Sequence, residues 1–193
     1  RTIVSNESSE IIRMFNSAFD AQIPAAQAAL DFYPEELRGE IDTVNAEVYD
    51  NLNNGVYKCG FATTQEAYEE AFTALFGTLE RLEGRLDRQR YIAGGRLSEA
   101  DWRLFATLVR FDAVYVGHFK CNLKRIEDYP NLSHYLRELY QLPGVAPTVN
   151  LDHIKRHYYQ SHATVNPTAI VPMGPELDFS RPHDRGGKSG LAS

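Results

Sequence analysis

An all-α fold follows from three observations. Leu37, Ile41, Val44, Val48 and Leu52 recur at spacings of four and three, the period of one helix face. Ala67, Ala71, Leu75, Leu79, Leu82 and Leu86 repeat that pattern over about five turns. Strand signals fade after Val4.

Each element has its own justification. Thr2-Ile3-Val4 is β-branched and reads as the end of a strand. Ser5-Asn6-Glu7-Ser8 is turn and cap chemistry, and Ser9 to Phe19 reads as an amphipathic helix. A strand that stops at a polar turn and feeds a helix offers free N–H groups and a positive dipole end, where a carboxylate or phosphate is welcome. The sequence has no initiator Met, so part of any such site is expected to precede Arg1.

The next helix starts near Pro34-Glu35-Glu36, with Pro early and acids in the first turn, and is expected to stop at Asn53-Asn54-Gly55. Thr63-Thr64-Gln65-Glu66 announces another, with Thr63 and Glu66 as a capping box. Phe72 and Phe76 widen its apolar stripe, Glu69, Glu70, Glu80, Arg81 and Arg85 take the wet side, and Gly94-Gly95 breaks the chain. Ser98-Glu99-Ala100-Asp101 opens a central helix with a second capping box, flanked by Leu97 and Trp102 at the positions of a hydrophobic staple. Its body, 102–111, is apolar on most faces and is expected to be buried.

Two shorter helices follow. One covers about 130–141 with Leu132, Tyr135, Leu136, Leu139 and Tyr140 inward; the other covers about 149–159. From Thr164 onward, Pro167, Pro172, Pro175 and Pro182 forbid a long helix. Ala169-Ile170-Val171 and Phe179 are apolar, so this Pro-rich segment is expected to pack back as an ordered coil, ending in a flexible tail at Gly186-Gly187-Lys188-Ser189-Gly190.

Composition narrows the function. The chain has 193 residues, 43% of them hydrophobic, enough for a sizeable core. Its net charge of −6 and the lack of a basic run argue against nucleic acid, and no apolar stretch reaches the length of a membrane helix. Cys59 and Cys121 lie far apart with no Cys-x-x-Cys pair, which argues against a cysteine-built zinc site. Two reduced thiols are the favoured reading, with a disulfide left open. His153 and His157 share a helix face, but no third ligand is evident, so no metal is expected. Glu35-Glu36 and Glu69-Glu70 read as solvated faces. Arg103, Arg110 and Asp112 fall in or beside the buried helix, and an internal Arg110–Asp112 ion pair is expected, with no role in a site.

A strand, a Glu-Ser turn, and a helical body with a central capping-box helix resemble the layout of glutathione transferases. Ser5-Asn6-Glu7-Ser8, 54–62 (Asn-Gly-Val-Tyr-Lys-Cys-Gly-Phe-Ala), Arg110-Phe111-Asp112, His118-Phe119-Lys120-Cys121 and Asn166-Pro167-Thr168 are similar to the glutathionyl-hydroquinone reductases, the Xi-class glutathione transferases. The resemblance runs from Thr2 to about Pro182. It implies a glutathione-transferase C-terminal helical bundle at 9–163, the end of a thioredoxin-like domain at 1–8, and a coil and tail at 164–193.

It also implies a cytoplasmic homodimer, formed largely through the helical domain, with glutathione as co-substrate and no nucleic-acid or membrane partner. Such an enzyme strips glutathione from glutathionyl-hydroquinones by thiol exchange. Glu7 and Ser8 are implied to hold the γ-glutamyl end of glutathione, and Tyr57 and Tyr158 to line the hydroquinone pocket, with Tyr159 the competitor for the second role. On spacing alone, Glu7 and Ser8 read first as a plain cap and the tyrosines as packing; the resemblance reverses that reading. The family's nucleophilic Cys-Pro is missing: Cys59 precedes Gly60 and Cys121 precedes Asn122, so no catalytic residue is expected in this chain and the nucleophile is expected upstream of Arg1. A non-catalytic helical interaction module and an independent helical protein are the alternatives.

Overall fold

The computed structural model describes residues 2–188. Seven main helices carry the architecture: α1 (Ser8–Phe15), α2 (Arg38–Val48), α3 (Gly55–Gly60), α4 (Gln65–Arg88), α5 (Glu99–Arg110), α6 (Pro130–Gln141) and α7 (Leu151–Ser161). Among the described residues there is no strand, so the all-α expectation holds. Helix α4 packs against α3 on one side and α6 on the other, and α5 packs against α2 and α6. The stripes read from the sequence form the core: Ile41, Val44, Val48 and Leu52 face Leu75, Leu79, Leu82 and Leu86 in one buried cluster.

Several local readings change. Thr2-Ile3-Val4 is not a strand; Ile3 and Val4 are 82% and 85% exposed, and no neighbouring strand is present among the described residues to pair with them. Helix α1 ends at Phe15 rather than Phe19. There the Asn16 side chain donates to Asp31 and accepts from the Phe32 N–H at 2.8 Å, turning the chain. Helix α2 does not stop at Asn53-Asn54-Gly55 but runs through a π-helical turn, Tyr49–Asn53, into α3. Gly55 is buried there as the first residue of α3, so it does not end the helical run. The cap of α4 is Thr64, one residue later than expected, and it accepts from the Ala67 N–H.

Helix caps are supplied across the bundle. Glu83 of α4 accepts the N–H groups of Asn131 and Leu132, satisfying the free donors at the start of α6. Asp112 accepts from the Ile126 and Glu127 N–H groups and so caps the turn Ile126–Asp128. It makes no pair with Arg110, which donates to the Ala106 carbonyl; the expected ion pair is replaced by these two caps.

The capping box of α5 is present, and it organises its surroundings. Asp101 is fully buried. Its Oδ2 accepts from the Ser98 N–H (2.7 Å) and hydroxyl (2.9 Å), and its Oδ1 from the Ile92 N–H (2.8 Å) and the Tyr135 hydroxyl (2.7 Å). Burial pushes this carboxyl up, while the four donors pull it back.

The Pro-rich coil packs back as expected in part. Phe179 packs on Tyr140, and Gln141 holds the carbonyls of Phe179 and Arg181, whereas Ile170 is 67% exposed. The expected tail at 186–190 is anchored as far as Lys188, which donates to Asp87 and Asn131; Ser189 and Gly190 lie outside the described residues. Arg185 is 0% exposed and donates to the carbonyls of Leu86, Gln89 and Arg90, closing the C-terminal end of α4.

Asp101→Ala strips four hydrogen bonds and strands the Tyr135 hydroxyl and the Ile92 N–H. The expected loss is about 3 kcal/mol or more of folding stability, read from the urea midpoint.

Candidate functional site

The site lies where α1, the π turn 49–53, α3, α5 and α7 meet. Helix α5 runs into a second π-helical turn, Phe111–Tyr115, and then the short turn Val116–His118. An extra residue per turn rotates the side chains that follow, and here it brings Tyr115 round to face Tyr158.

The resulting cavity has a volume of ≈ 550 Å³, within the range of small-molecule sites. Its walls are Ser8, Ser9 and Ile12 from α1, Tyr49 and Asn53 from the π turn, and Tyr57 from α3. Trp102, Arg103, Ala106, Thr107 and Arg110 come from α5, with Tyr115 and Tyr158 at its floor. A more polar recess of ≈ 410 Å³ adjoins it across Ser8, Ser9, Tyr49 and Arg103, and is also lined by Glu7, Arg13, Asp42 and Asn45.

The structure brings Tyr57 and Tyr158 together. Their hydroxyls are 2.7 Å apart, and the Tyr158 hydroxyl also lies 2.9 Å from that of Tyr115. Tyr57 is 39% exposed to the cavity side, whereas Tyr158 and Tyr115 are buried. Burial and the Tyr158 hydroxyl push Tyr57 up to about 12, so the phenol keeps its proton at neutral pH. Tyr115 is pushed up further by burial. Tyr159 does not line this cavity; its ring packs against His118, with centroids 4.5 Å apart.

The cluster rests on Phe119, which stacks on Tyr115 at 9° between ring planes and packs on Tyr57. Phe119 in turn needs Gly60, where a Cβ would lie 2.1 Å from the ring.

Glu7 occupies the N-cap position of α1, and Ser8 is its first residue. Neither side chain has a partner among the described residues, and the N–H groups of Ser8 and Ser9 have no acceptor there. The helix itself is held by Arg13, which donates to Glu99 (2.9 Å) and Asp42 (2.7 Å), with Asn45 and Arg103 completing the charge network around Glu99. Glu7 and Ser8 open on the polar recess, and Tyr57 and Tyr158 on the apolar one.

Sequence reasoning missed Tyr49, Asn53, Trp102, Arg103, Thr107, Arg110 and Tyr115 as lining residues. A signal existed: Arg103, Thr107 and Arg110 follow helical spacing on a helix otherwise apolar. That polar stripe is the face of α5 turned to the cavity, so this helix is buried on most of its surface but not all round.

Cys59 and Cys121 are free and buried and do not line the cavity. Contact with Cys59, then burial, pushes the Cys121 thiol up; the same contact draws Cys59 down. Among the described residues no group of three or more His, Cys, Asp or Glu is arranged to hold a metal, and no helix is long and apolar enough to cross a membrane. His162 pairs with the buried His118 at 3.1 Å.

Burial, the His162 ring and Lys120 lower His118 to about 4. A histidine whose folded value lies below its unfolded value of about 6.5 resists protonation in the native state, so its contribution to stability is intact above that pH and is lost as pH falls toward 4. The denaturant midpoint is expected to drop over this window, and to drop less in His118→Gln.

The family model described as glutathione S-transferase, C-terminal domain matches residues 65–138. The chain is 58% identical over 184 residues to glutathionyl-hydroquinone reductase YqjG of Escherichia coli, covering 95% of this chain and 55% of that protein. It is 61% identical over 177 residues to glutathionyl-hydroquinone reductase PcpF of Sphingobium chlorophenolicum, covering 91% of this chain and 55% of that protein. The glutathione-bound structure of YqjG superposes with a TM-score of 0.92 at 57% identity, over 96% of this chain and 59% of that one. Glutathione-S-transferase Xi from Phanerochaete chrysosporium gives 0.89 at 58% identity, over 95% and 59%. The chain thus spans a little over half the length of these relatives.

Proposed function

We propose, from the premise that this chain belongs to the glutathione S-transferases, whose C-terminal domain it carries, that it forms the substrate pocket of a glutathionyl-hydroquinone reductase. The observation that carries this reading is the tyrosine hydroxyl cluster on the floor of an aromatic cavity. Phenol hydroxyls suit a hydroquinone oxygen, and the surrounding rings suit its faces.

The adjoining polar recess is the place for glutathione. The Ser8 hydroxyl and the unpartnered N–H groups of Ser8 and Ser9, at the positive end of α1, would receive the γ-glutamyl carboxylate. The Glu7 carboxylate would meet the ammonium. The buried Asn45 Oδ1, which lacks a partner, borders the same recess.

In the reaction, a cysteine upstream of Arg1 attacks the glutathione sulfur. A sulfur–sulfur bond forms, the carbon–sulfur bond to the ring breaks, and the ring carbon takes a proton as hydroquinone leaves. The thiolate of a second glutathione then attacks the mixed disulfide, freeing the enzyme thiol and leaving glutathione disulfide. In this reading residues 1–8 end a thioredoxin-like domain that brings the cysteine, and the protein works as a cytoplasmic homodimer.

The test is glutathione-dependent reduction of a glutathionylated hydroquinone by the full-length protein. Tyr57→Phe is expected to lower kcat/KM about tenfold by removing a hydrogen bond to the substrate oxygen, with the denaturation midpoint little changed. Ser8→Ala is expected to raise the KM for glutathione several-fold. A full-length protein with no such activity would overturn the reading and favour the interaction module.

A further inference from the structure

The three tyrosine hydroxyls at the cavity floor carry more than a list of contacts, because each has only one proton to give. Tyr158 lies between the other two, 2.7 Å from Tyr57 and 2.9 Å from Tyr115. Two hydrogen bonds consume two of the three protons, and the third is left over on Tyr115, on Tyr158 (where both neighbours donate to it) or on Tyr57.

The two ends are unlike. Tyr115 and Tyr158 are 2% and 5% exposed, and among the described residues neither hydroxyl makes a hydrogen bond outside the three-tyrosine cluster. A proton left over on Tyr115 or on Tyr158 would be an O–H buried without an acceptor, at a cost of about 1–3 kcal/mol. Tyr57 is 39% exposed on the cavity wall, and a proton pointing out there meets water or ligand.

We infer that the hydroxyls form a one-way relay, Tyr115 to Tyr158 to Tyr57, in which Tyr115 is a positioning residue that makes Tyr57 present a hydrogen-bond donor to the cavity and so selects ligands with a phenolate or carbonyl oxygen over those offering a hydroxyl. The inference rests on the cavity being the aromatic-substrate site. It adds the direction of the donor and the residue that sets it.

Three further considerations support the relay. Each donor in a chain polarises the next, so the outermost O–H is a stronger donor than an isolated tyrosine. Tyr115 is also held rigidly: its ring stacks on Phe119, which is completely buried, and its backbone lies in the π turn that ends α5. Arg110, the cation on the same wall, adds a positive field that favours an anionic oxygen beside Tyr57.

The probe is 4-nitrophenol, whose phenolate and phenol absorb differently, titrated in the full-length protein. Bound to the wild-type protein, it is expected to ionise at a lower pH than in free solution. Tyr115→Phe removes the hydroxyl at the buried end of the relay, and should raise the bound probe's pKa by about half a unit, a roughly threefold loss of preference for phenolate. Tyr158→Phe breaks the relay in the middle and should raise it at least as far; it also provides the reading if Tyr115→Phe folds poorly. Affinity for the neutral phenol at low pH should change little in either.

If neither variant moves the bound pKa while Tyr57→Phe does, Tyr57 acts alone and the relay is overturned. If the wild-type protein leaves the probe's absorbance and pKa untouched, the cavity is not a phenol site, and the inference falls together with the reading beneath it.

Discussion

The bundle depends on one carboxylate with no access to water. Asp101 sits at the N-terminal end of α5 and is tied to three separate parts of the chain: the Ser98 cap, the loop at Ile92, and Tyr135 on α6. Removing a carboxylate from water costs several kcal/mol, and only a full set of donors offsets it. Here four donors converge on two oxygens, so the charge is tolerated only in the native arrangement. The group therefore specifies how α5 meets α6 as much as it stabilises either. An apolar residue would fill the space without fixing that geometry.

The site inherits its precision from that helix. From its capped start, α5 runs along the cavity wall and ends in the π turn that carries Tyr115. The same acidic first turn supplies Glu99, which anchors Arg13 and so holds α1, where Glu7 and Ser8 lie. The polar and aromatic recesses are thus walled by elements fixed to one helix terminus. Helix α1 is otherwise poorly packed: it has no buried residue, and Ile12 and Phe15 are 41% and 63% exposed. Its position is set by ion pairs more than by core.

The core was legible because burial imposes a period on the sequence. Leu75, Leu79, Leu82 and Leu86 on α4 and the Ser98–Asp101 box on α5 were found where the pattern put them. What was hidden has two physical causes. A π turn changes the period for a few residues without a composition of its own, so Asn53-Asn54-Gly55 reads as a stop and the central helix is followed no further than Phe111. Local chemistry is also blind to distant partners. Asp112 was paired on paper with its neighbour Arg110, yet it caps a turn fourteen residues on. Thr2-Ile3-Val4 has strand-forming residues but no strand beside it among the described residues. At the site, the family motifs pointed to Tyr57 and Tyr158. Arg103, Thr107 and Arg110 carry a signal in their helical spacing, whereas Tyr115 needed the fold, because nothing in a buried aromatic tells a wall from a core.

Arg185 sets a schedule for making the protein. Its guanidinium closes the C-terminal end of α4 through carbonyls that lie up to 99 positions earlier in the chain. At translation rates of about 5–20 residues per second, α4 leaves the peptidyl-transferase centre roughly 5–20 s before that arginine is made. Through that interval the last turn of α4 must keep its carbonyls hydrated. A ribosome that stalls in the Pro-rich stretch holds a bundle whose longest helix is still unsealed at one end.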